Sequence, residues 1–412
     1  MDVSKHAEPG YHANGNRMRC RGTTKRLCSC VMAWMLCAAA QLWMAPSATA
    51  QTDLPQTDLS QTELTQADLT QAAPAVWTAE MVRVWAAQHA DGARALAAES
   101  RSVGAAYDRD DDAQRKQACL TQLVLAHLAA HDRNRAAAEA LSTYYRIVAI
   151  EQQLRTLRDA SEVVDTLQQL AEKAEQFELP DGDPNALARQ GLELAARVVD
   201  AEVGIRKLRL RLARLTCQPL AVANEALLSD QLPPAPALLS LDDAIADALA
   251  HRRDLQAIEA VCPRISSDTM PAVRSLMGVL QPGLGIGTAV ATKALLFGHG
   301  GEEGKDVCAR RDQCRSLAQT RREQIQDEVR LAELELQACY QRTDLADQRL
   351  SLAKQAAREQ AKAVELEQRP PGADLLAALE SLTVRGELQG RWMEQAVAEV
   401  ELLEARGAAY RE

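Results

Sequence analysis

Aromatic residues are scarce in this sequence. Phe, Trp and Tyr make up 3% of its 412 residues. Large aromatic side chains dominate the packing of most globular cores, so a single core of ordinary type would be poorly filled here. Alanine, leucine, glutamate, glutamine and arginine dominate instead, which is typical of long helices. The composition therefore predicts a mainly α protein.

Motifs for catalysis and cofactor binding are also missing. The stretch GLGIG at 283–287 lacks the spacing of a dinucleotide loop, and no Gly-Lys-Ser/Thr sequence follows it. His127 and His131 stand four residues apart, but Leu128 occupies the position of the glutamate in a zinc-protease helix, so we expect a pair of surface histidines. The acidic cluster at 108–112 lacks the glycine and closing glutamate of a calcium loop. We expect no enzymatic activity, no metal and no cofactor.

The net charge and the spacing of the cysteines argue against further classes of function. A formal net charge of -10 argues against nucleic acid as a partner. No CxxC pair is present, which argues against a structural zinc site or a redox motif. Cys308 and Cys314 are close enough in sequence to pair in an oxidising compartment, although the sequence leaves the pairing open.

The first 50 residues have the features of a secretory signal peptide. Lys25 and Arg26 precede a long apolar run, and the run ends at an A-x-A site formed by Ala48 and Ala50. We expect cleavage after residue 50, with Met18 as an alternative start of the precursor. A membrane anchor is the alternative interpretation. Residues 51–75, which contain the repeat QTDLx, are predicted to form a disordered linker.

Heptad spacing is the clearest signal, and it occurs twice. In the second half, twelve positions follow 4-3 steps, and ten of them are apolar: Ile325, Val329, Ala332, Leu336, Cys339, Thr343, Ala346, Leu350, Ala353, Ala357, Gln360 and Val364. The turn EQRPPGAD at 367–374 then interrupts the helix. A second helix is predicted to begin near Asp374, with that residue as a plausible N-cap and a seam from Leu375 to Leu403.

The first half repeats this pattern 188 residues upstream. A seam from Leu187 to Leu215 has the same phase, and it follows the turn ELPDGDPN at 178–185. A long helix precedes that turn, with one irregular heptad step at Ala160. The sequence thus predicts two long antiparallel coiled-coil hairpins in tandem, within repeats at 76–230 and 231–412.

Each repeat opens with a short amphipathic segment. In LSLDDAIADALAHRRDL, apolar residues recur at helical spacing from Leu241 to Leu249, and Ser240 is a good N-cap. We therefore expect a helix that starts near residue 241. The first repeat offers WTAEMVRVWAAQH, in which Thr78 aligns with Ser240 and His89 aligns with His251.

These residues resemble the TolC-type outer-membrane efflux protein family. LSLDDAIADALAHRRDL looks like the start of the family's repeat, and ALLFGHGG is similar to the exit from its membrane strands. RREQIQDEVRLAELELQACYQR resembles the inbound helix, and PPGADLLAALESL resembles the turn at the periplasmic tip. The resemblance covers about residues 77–407 and rests on the order of these motifs and on the twofold repeat.

The resemblance implies a passive conduit. Such proteins are trimers in which each chain gives two helical hairpins to a periplasmic tunnel and four strands to the membrane part. They work with a periplasmic adaptor and an inner-membrane transporter, and they contact outer-membrane lipid. The tip residues would face the adaptor or close the tunnel: Asp181, Gly182, Asp183, Gly372 and Asp374. For Asp374 alone, helix capping is an alternative role. For the whole chain, the alternative is a periplasmic coiled-coil scaffold without a complete pore.

A short membrane β-segment is expected near 271–301. Within 283–297, larger residues alternate with Gly or Ala, which is the period of a strand with two different faces. The larger residues are Leu284, Ile286, Thr288, Val290 and Thr292. MPAVRSLMGVLQ at 270–281 is a candidate for a second strand. A short apolar helix or buried hairpin is the alternative for 283–297.

Overall fold

The computed structural model describes residues 76–108, 110–176, 184–228, 240–280 and 303–411, which belong to one compact unit. The predicted signal peptide and linker lie outside the described residues. So do the predicted tip residues Asp181, Gly182 and Asp183, and the strand candidates Leu284, Ile286, Thr288, Val290 and Thr292.

The described residues are almost entirely helical, as the composition predicts. The elements are β1 (Val76–Trp77), α1 (Ala79–His89), α2 (Asp91–Ala106), α3 (Asp112–Gln176), α4 (Pro184–Thr216), α5 (Leu220–Glu225), β2 (Leu227–Leu228), α6 (Leu241–His251), α7 (Arg253–Val261), a 3-10 turn (Cys262–Arg264), α8 (Met270–Leu280), α9 (Glu303–Glu365) and α10 (Ala373–Ala405). β1 and β2 form a short parallel pair. In this part of the chain, each helix is either too short or too polar to cross a membrane.

Four long helices form the two predicted hairpins. α3 and α9 have 65 and 63 residues, and α4 and α10 have 33 each. α9 ends at Glu365 and α10 begins at Ala373, so residues 366–372 connect them. α3 continues unbroken through the irregular step at Ala160, and that residue is buried against its neighbours.

The predicted heptad seams are the packed faces of these helices. Ile325, Val329 and Leu336 are fully buried on α9. Leu194 on α4 and Leu379 on α10 both pack against the seam of α3, in one cluster with Val164. The long helices thereby lie in a row in the order α4, α3, α10, α9. The inner helices α3 and α10 join the two hairpins, and α4 and α9 form the edges of the row.

The opening segments of the two repeats have the same local structure. α1 and α6 each have 11 residues. Thr78 Oγ1 accepts a hydrogen bond from Met81 N at 3.3 Å, and Ser240 Oγ accepts one from Asp243 N at 3.1 Å. One residue with extended backbone then separates each helix from the next, Ala90 in the first repeat and Arg252 in the second. The alignment of these segments is therefore confirmed.

The strand expected at 270–281 is wrong. Residues Met270–Leu280 form α8, with Val273, Leu276 and Met277 buried on one face. Their spacing of three and four residues matches a helical period, and the apolar face packs against α3 and α7. The β-segment predicted near 271–301 therefore does not include residues 271–280, and its remainder at 281–301 lies outside the described residues.

A disulfide joins Cys262 to Cys314, with their Cα atoms 5.7 Å apart. It ties the 3-10 turn after α7 to the long helix α9 across 52 residues of sequence. The pair Cys308–Cys314, which the spacing suggested, does not form, because both residues lie on the same helix and Cys308 is exposed.

Candidate functional site

The turn between α9 and α10 is held by defined backbone geometry. Gln368 N donates to Ala363 O at 2.8 Å, and Glu367 N donates to Val364 O at 3.0 Å, which closes the end of α9. Glu367 and Gly372 have positive φ angles of 55° and 95°. The φ of Gly372 explains why a glycine occurs at this position, because a residue with a side chain would be strained there.

Gly372, rather than Asp374, is the N-cap of α10, so the sequence-based assignment of the cap is wrong. Asp374 lies in the first helical turn, where a carboxylate interacts favourably with the helix dipole. A Cβ atom on Gly372 would lie 3.5 Å from Leu167 Cδ2 and 3.8 Å from Leu170 Cδ1. The second tip therefore packs against α3 of the first hairpin.

The two edge helices carry stripes of exposed apolar residues. On α4, Leu192, Val199, Val203 and Leu210 are exposed. On α9, Leu331, Leu334, Leu345 and Leu352 are exposed. Within each stripe, residues recur at steps of three, four or seven, or at sums of these, so each edge helix has a second apolar face besides its packed seam. The sequence analysis missed these faces because it followed one seam per helix.

A chain of contacts across the row relates the heights of the two stripes. Arg158 Nη2 on α3 bonds Glu202 Oε1 on α4 at 3.0 Å. Gln389 Nε2 on α10 donates to Thr156 Oγ1 on α3 at 3.0 Å. Arg349 on α9 pairs with Glu387 on α10, also at 3.0 Å. Glu202 and Arg349 therefore lie at nearly the same level.

This common level shows which residues of the α4 stripe lie at the same height as residues of the α9 stripe. Val203 follows Glu202, so it lies at about the height of Arg349. Because α4 and α9 run in opposite directions, Val199 lies at the height of residue 353, next to Leu352. The two stripes thus overlap in height, and Val199 and Leu352 lie at the same height to within about one helical turn of 5.4 Å.

A buried charge network occupies the junction between α6, α7, α9 and α3. Arg252 has a side chain only 6% exposed. Its Nε and Nη2 atoms donate to Asp254 at 2.9 and 2.8 Å, and its Nη1 atom donates to Glu328 Oε2 at 2.7 Å. Arg321 bonds the same two carboxylates at 2.6 and 2.8 Å.

The network controls the protonation of its members. Burial alone would raise the pKa of Asp254, but the hydrogen bonds and charge of Arg252 outweigh it and hold that pKa well below its usual range. His131 on α3 approaches Asp254 to 3.9 Å. Desolvation lowers the pKa of His131. His127 and His131, expected as a pair of surface histidines, are both partly exposed.

Within the described ranges, no group of three or more His, Cys, Asp or Glu side chains is arranged to hold a metal ion. The charge network also holds the end of α10, because Arg252 Nη1 donates to Ala405 O at 2.9 Å.

Comparison with known proteins identifies the fold. No protein-family model matches the sequence, and no curated protein sequence does. The outer-membrane protein VceC from Vibrio cholerae has a similar structure, with a TM-score of 0.57, 14% identity, and coverage of 80% of this chain and 96% of that chain. The open state of the Neisseria gonorrhoeae MtrE outer-membrane channel is similar with a TM-score of 0.56 and 12% identity, over 80% of this chain and 89% of that chain. The Campylobacter jejuni CmeC outer-membrane channel is similar with a TM-score of 0.54 and 13% identity, over 72% of this chain and 68% of that chain.

The chain has the TolC-type fold. The tandem hairpins expected from the heptad pattern are the basis of this similarity, and the sequence-based fold class is confirmed. Because the sequence identities are only 12–14%, the similarity to these structures shows the fold alone.

Proposed function

We propose that this protein is the outer-membrane conduit of an efflux or secretion system, and that it works as a homotrimer. The observation that carries this proposal is the pair of exposed apolar stripes on the two edges of the helix row. An open row of helices with an apolar face at each end leaves both faces in water unless another chain covers them.

The stripes favour a ring of copies. The edge formed by α4 differs from the edge formed by α9, so the contact between copies is heterologous, and such contacts generate rings when the rotation closes. The overlap in height of Val199 and Leu352 allows neighbouring copies to pack without an axial shift. A closed ring of helix rows encloses a tunnel, and the resemblance to TolC-type proteins favours three copies.

Export of the chain is part of the same proposal. Residues 1–50 would serve as the signal peptide. The Cys262–Cys314 disulfide supports export, since disulfides form and persist in oxidising compartments such as the periplasm. Residues 284–292 would form the contact with outer-membrane lipid, on the basis of their strand-like alternation.

The hairpin tips are proposed as the contact with the partners. Gly372 and Asp374 would face a periplasmic adaptor, together with Asp181, Gly182 and Asp183 of the first tip. The adaptor would connect the tunnel to an inner-membrane transporter, which supplies the energy. The conduit itself would perform no chemistry.

Cysteine crosslinking tests the arrangement of copies. In a Val199→Cys/Leu352→Cys variant, oxidation should join neighbouring chains into a ladder that ends at the trimer. A Val199→Cys/Leu331→Cys variant is the matched control, because Leu331 lies about 30 Å from Leu352 along α9. The parent protein shows the background from its own free thiols. Equal crosslinking of both variants, or none in either, would contradict the ring.

Conductance tests the conduit itself. The purified oligomer should open pores in a planar lipid bilayer, and it should fractionate with the outer membrane. A trimer that stays in the periplasmic fraction and conducts no ions would favour the alternative, a coiled-coil scaffold without a pore. Cysteine scanning of 284–292 with a lipid-phase probe should label the even positions if this segment is a membrane strand.

A further inference from the structure

A cavity of about 190 Å³ lies beside the buried charge network, between α3, the junction of α6 and α7, and the C-terminal segment that follows α10. Its lining consists of Ala130, His131, Asn134, His251, Arg252, Arg253, Gly407, Tyr410 and Arg411. Three of these are arginines and two are histidines, and among the described lining residues none is acidic. The volume suits a small polyatomic ion.

The arginines in this lining differ in how far their donors are used. A guanidinium has five N–H donors. Arg252, at the buried end, uses four of them, on Asp254, Glu328 and Ala405 O. Its charge is therefore balanced by the network, and it contributes rigidity to the cavity wall.

Arg253 has its charge unbalanced. Its Nη1 atom donates to the neutral amide oxygen Oε1 of Gln256 at 2.9 Å. Among the described residues, its other N–H groups reach no acceptor and its guanidinium pairs with no carboxylate. The corresponding position in the first repeat is Asp91, at the start of α2. A cation at the start of α7 is unfavourable next to the positive end of that helix, and a bound anion would relieve this.

The C-terminal segment contributes Arg411 to the same lining. Arg411 Nη2 bonds Asp247 at 2.6 Å, and Arg406 bonds the same carboxylate. One negative charge therefore faces two guanidiniums. His251 Nδ1 lies 2.9 Å from both the backbone O and the carboxylate Oδ1 of Asp247, so this carboxylate is shared by three side chains. The lining therefore carries more positive than negative charge, because Arg253 has no carboxylate partner among the described residues and Arg411 shares its carboxylate with Arg406.

We propose that this cavity binds a small oxyanion such as phosphate or sulfate, held between Arg253 and Arg411. Arginine favours such ligands because its fork of N–H groups matches two oxygens of a phosphate or sulfate. The ion would tie the C-terminal segment to the start of α7, close to the network around Arg252. The first repeat has Ala90, Asp91 and Gly92 at the matching positions, so the structure assigns one site per chain.

Calorimetry on the full-length purified protein tests the site. Titration with inorganic phosphate should show saturable binding of one ion per chain, and sodium chloride at the same ionic strength should not. Arg253→Gln should weaken phosphate binding by about tenfold or more, because a hydrogen bond to a charged group contributes at least that factor. Arg358→Gln is the matched control, since Arg358 is exposed on α9 far from the cavity.

Three further measurements separate binding from folding. Far-UV circular dichroism should show unchanged helix content in Arg253→Gln, and Arg253→Lys, which keeps the charge but loses the fork, should have intermediate affinity. Phosphate should also slow tryptic cleavage after Arg406 in the parent but not in Arg253→Gln. Unaltered phosphate affinity in Arg253→Gln, or an equal effect of chloride, would overturn the proposal. The result does not depend on whether the protein conducts ions.

Discussion

At the scale of single residues, the two repeats differ most at the break between their opening helices. Ala90 and Gly92 of the first repeat correspond to Arg252 and Asp254 of the second. A Cβ atom on Gly92 would come within 2.5 Å of Asp132 Oδ2, so the first repeat is closed by small residues. The second repeat fills the same place with paired charges, which are stable only because every charge has a partner.

Loss of Asp254 should therefore be costly. Asp254→Asn leaves Arg252 buried beside an uncharged group, and we expect a loss of about 3 kcal/mol in the free energy of unfolding. Chemical denaturation followed by circular dichroism measures it. Asp327→Asn is the control, because its pair with Arg330 is exposed and contributes at most about 0.5 kcal/mol. Equal losses in the two variants would show that the network is not a stabilising unit.

The same variant should change the pH dependence of stability. Because the pKa of Asp254 is lower in the folded than in the unfolded chain, its contribution is fully present above the ordinary aspartate pKa and is lost as the pH falls. The difference in unfolding free energy between parent and Asp254→Asn should thus shrink below about pH 4. A difference that stays constant from neutral pH to pH 2 would contradict this assignment.

Gly372 should be intolerant of a side chain because of its backbone conformation. Gly372→Ala forces a φ of 95° on alanine, so we expect the thermal midpoint to fall by an amount equivalent to about 1 kcal/mol. Gly386→Ala should have the opposite sign, since a Cβ atom there meets nothing within 4 Å and alanine is the better helix former. Differential scanning calorimetry of both variants compares the two directly.

At the scale of elements, periodicity alone located the long helices. The seam from Ile325 to Val364 gave the packed face of α9, and proline and glycine gave the turn at 367–374. α8 was mistaken for a strand because the resemblance to membrane proteins favoured strands there, although Val273, Leu276 and Met277 already had helical spacing. Single side chains beyond this pattern, such as the partner of Cys314, depend on tertiary contacts that periodicity does not contain.

The disulfide is an element-scale restraint whose removal should destabilise the fold. A Cys262→Ala/Cys314→Ala variant loses the closure of a 52-residue segment. We expect it to lose about 2–4 kcal/mol of stability. Cys308→Ala should change little, because Cys308 is exposed and free. Thermal melts with and without a reducing agent should show that the parent depends on the reductant and the double variant does not.

At the scale of the whole molecule, the important surface is one that a single chain leaves uncovered. The sequence shows Leu192, Val199, Leu345 and Leu352 as ordinary apolar residues of long helices. Only the order of the helices in the row shows that these residues lie on its two edges. An amphipathic helix buries one face in its own chain, and the proposed ring of copies would cover the second apolar face of each edge helix.

Charges placed on an edge should therefore prevent assembly without unfolding the chain. Leu352→Asp would bury a carboxylate in the contact proposed between copies, which is unfavourable without a partner. We expect monomers by native mass spectrometry, with unchanged helix content by circular dichroism. Leu376→Asp makes the same change at an exposed leucine on the inner helix α10, and it should leave the oligomer intact. If Leu352→Asp assembled as the parent does, the edge of α9 would not be the contact, and the row of helices would have to close in another way.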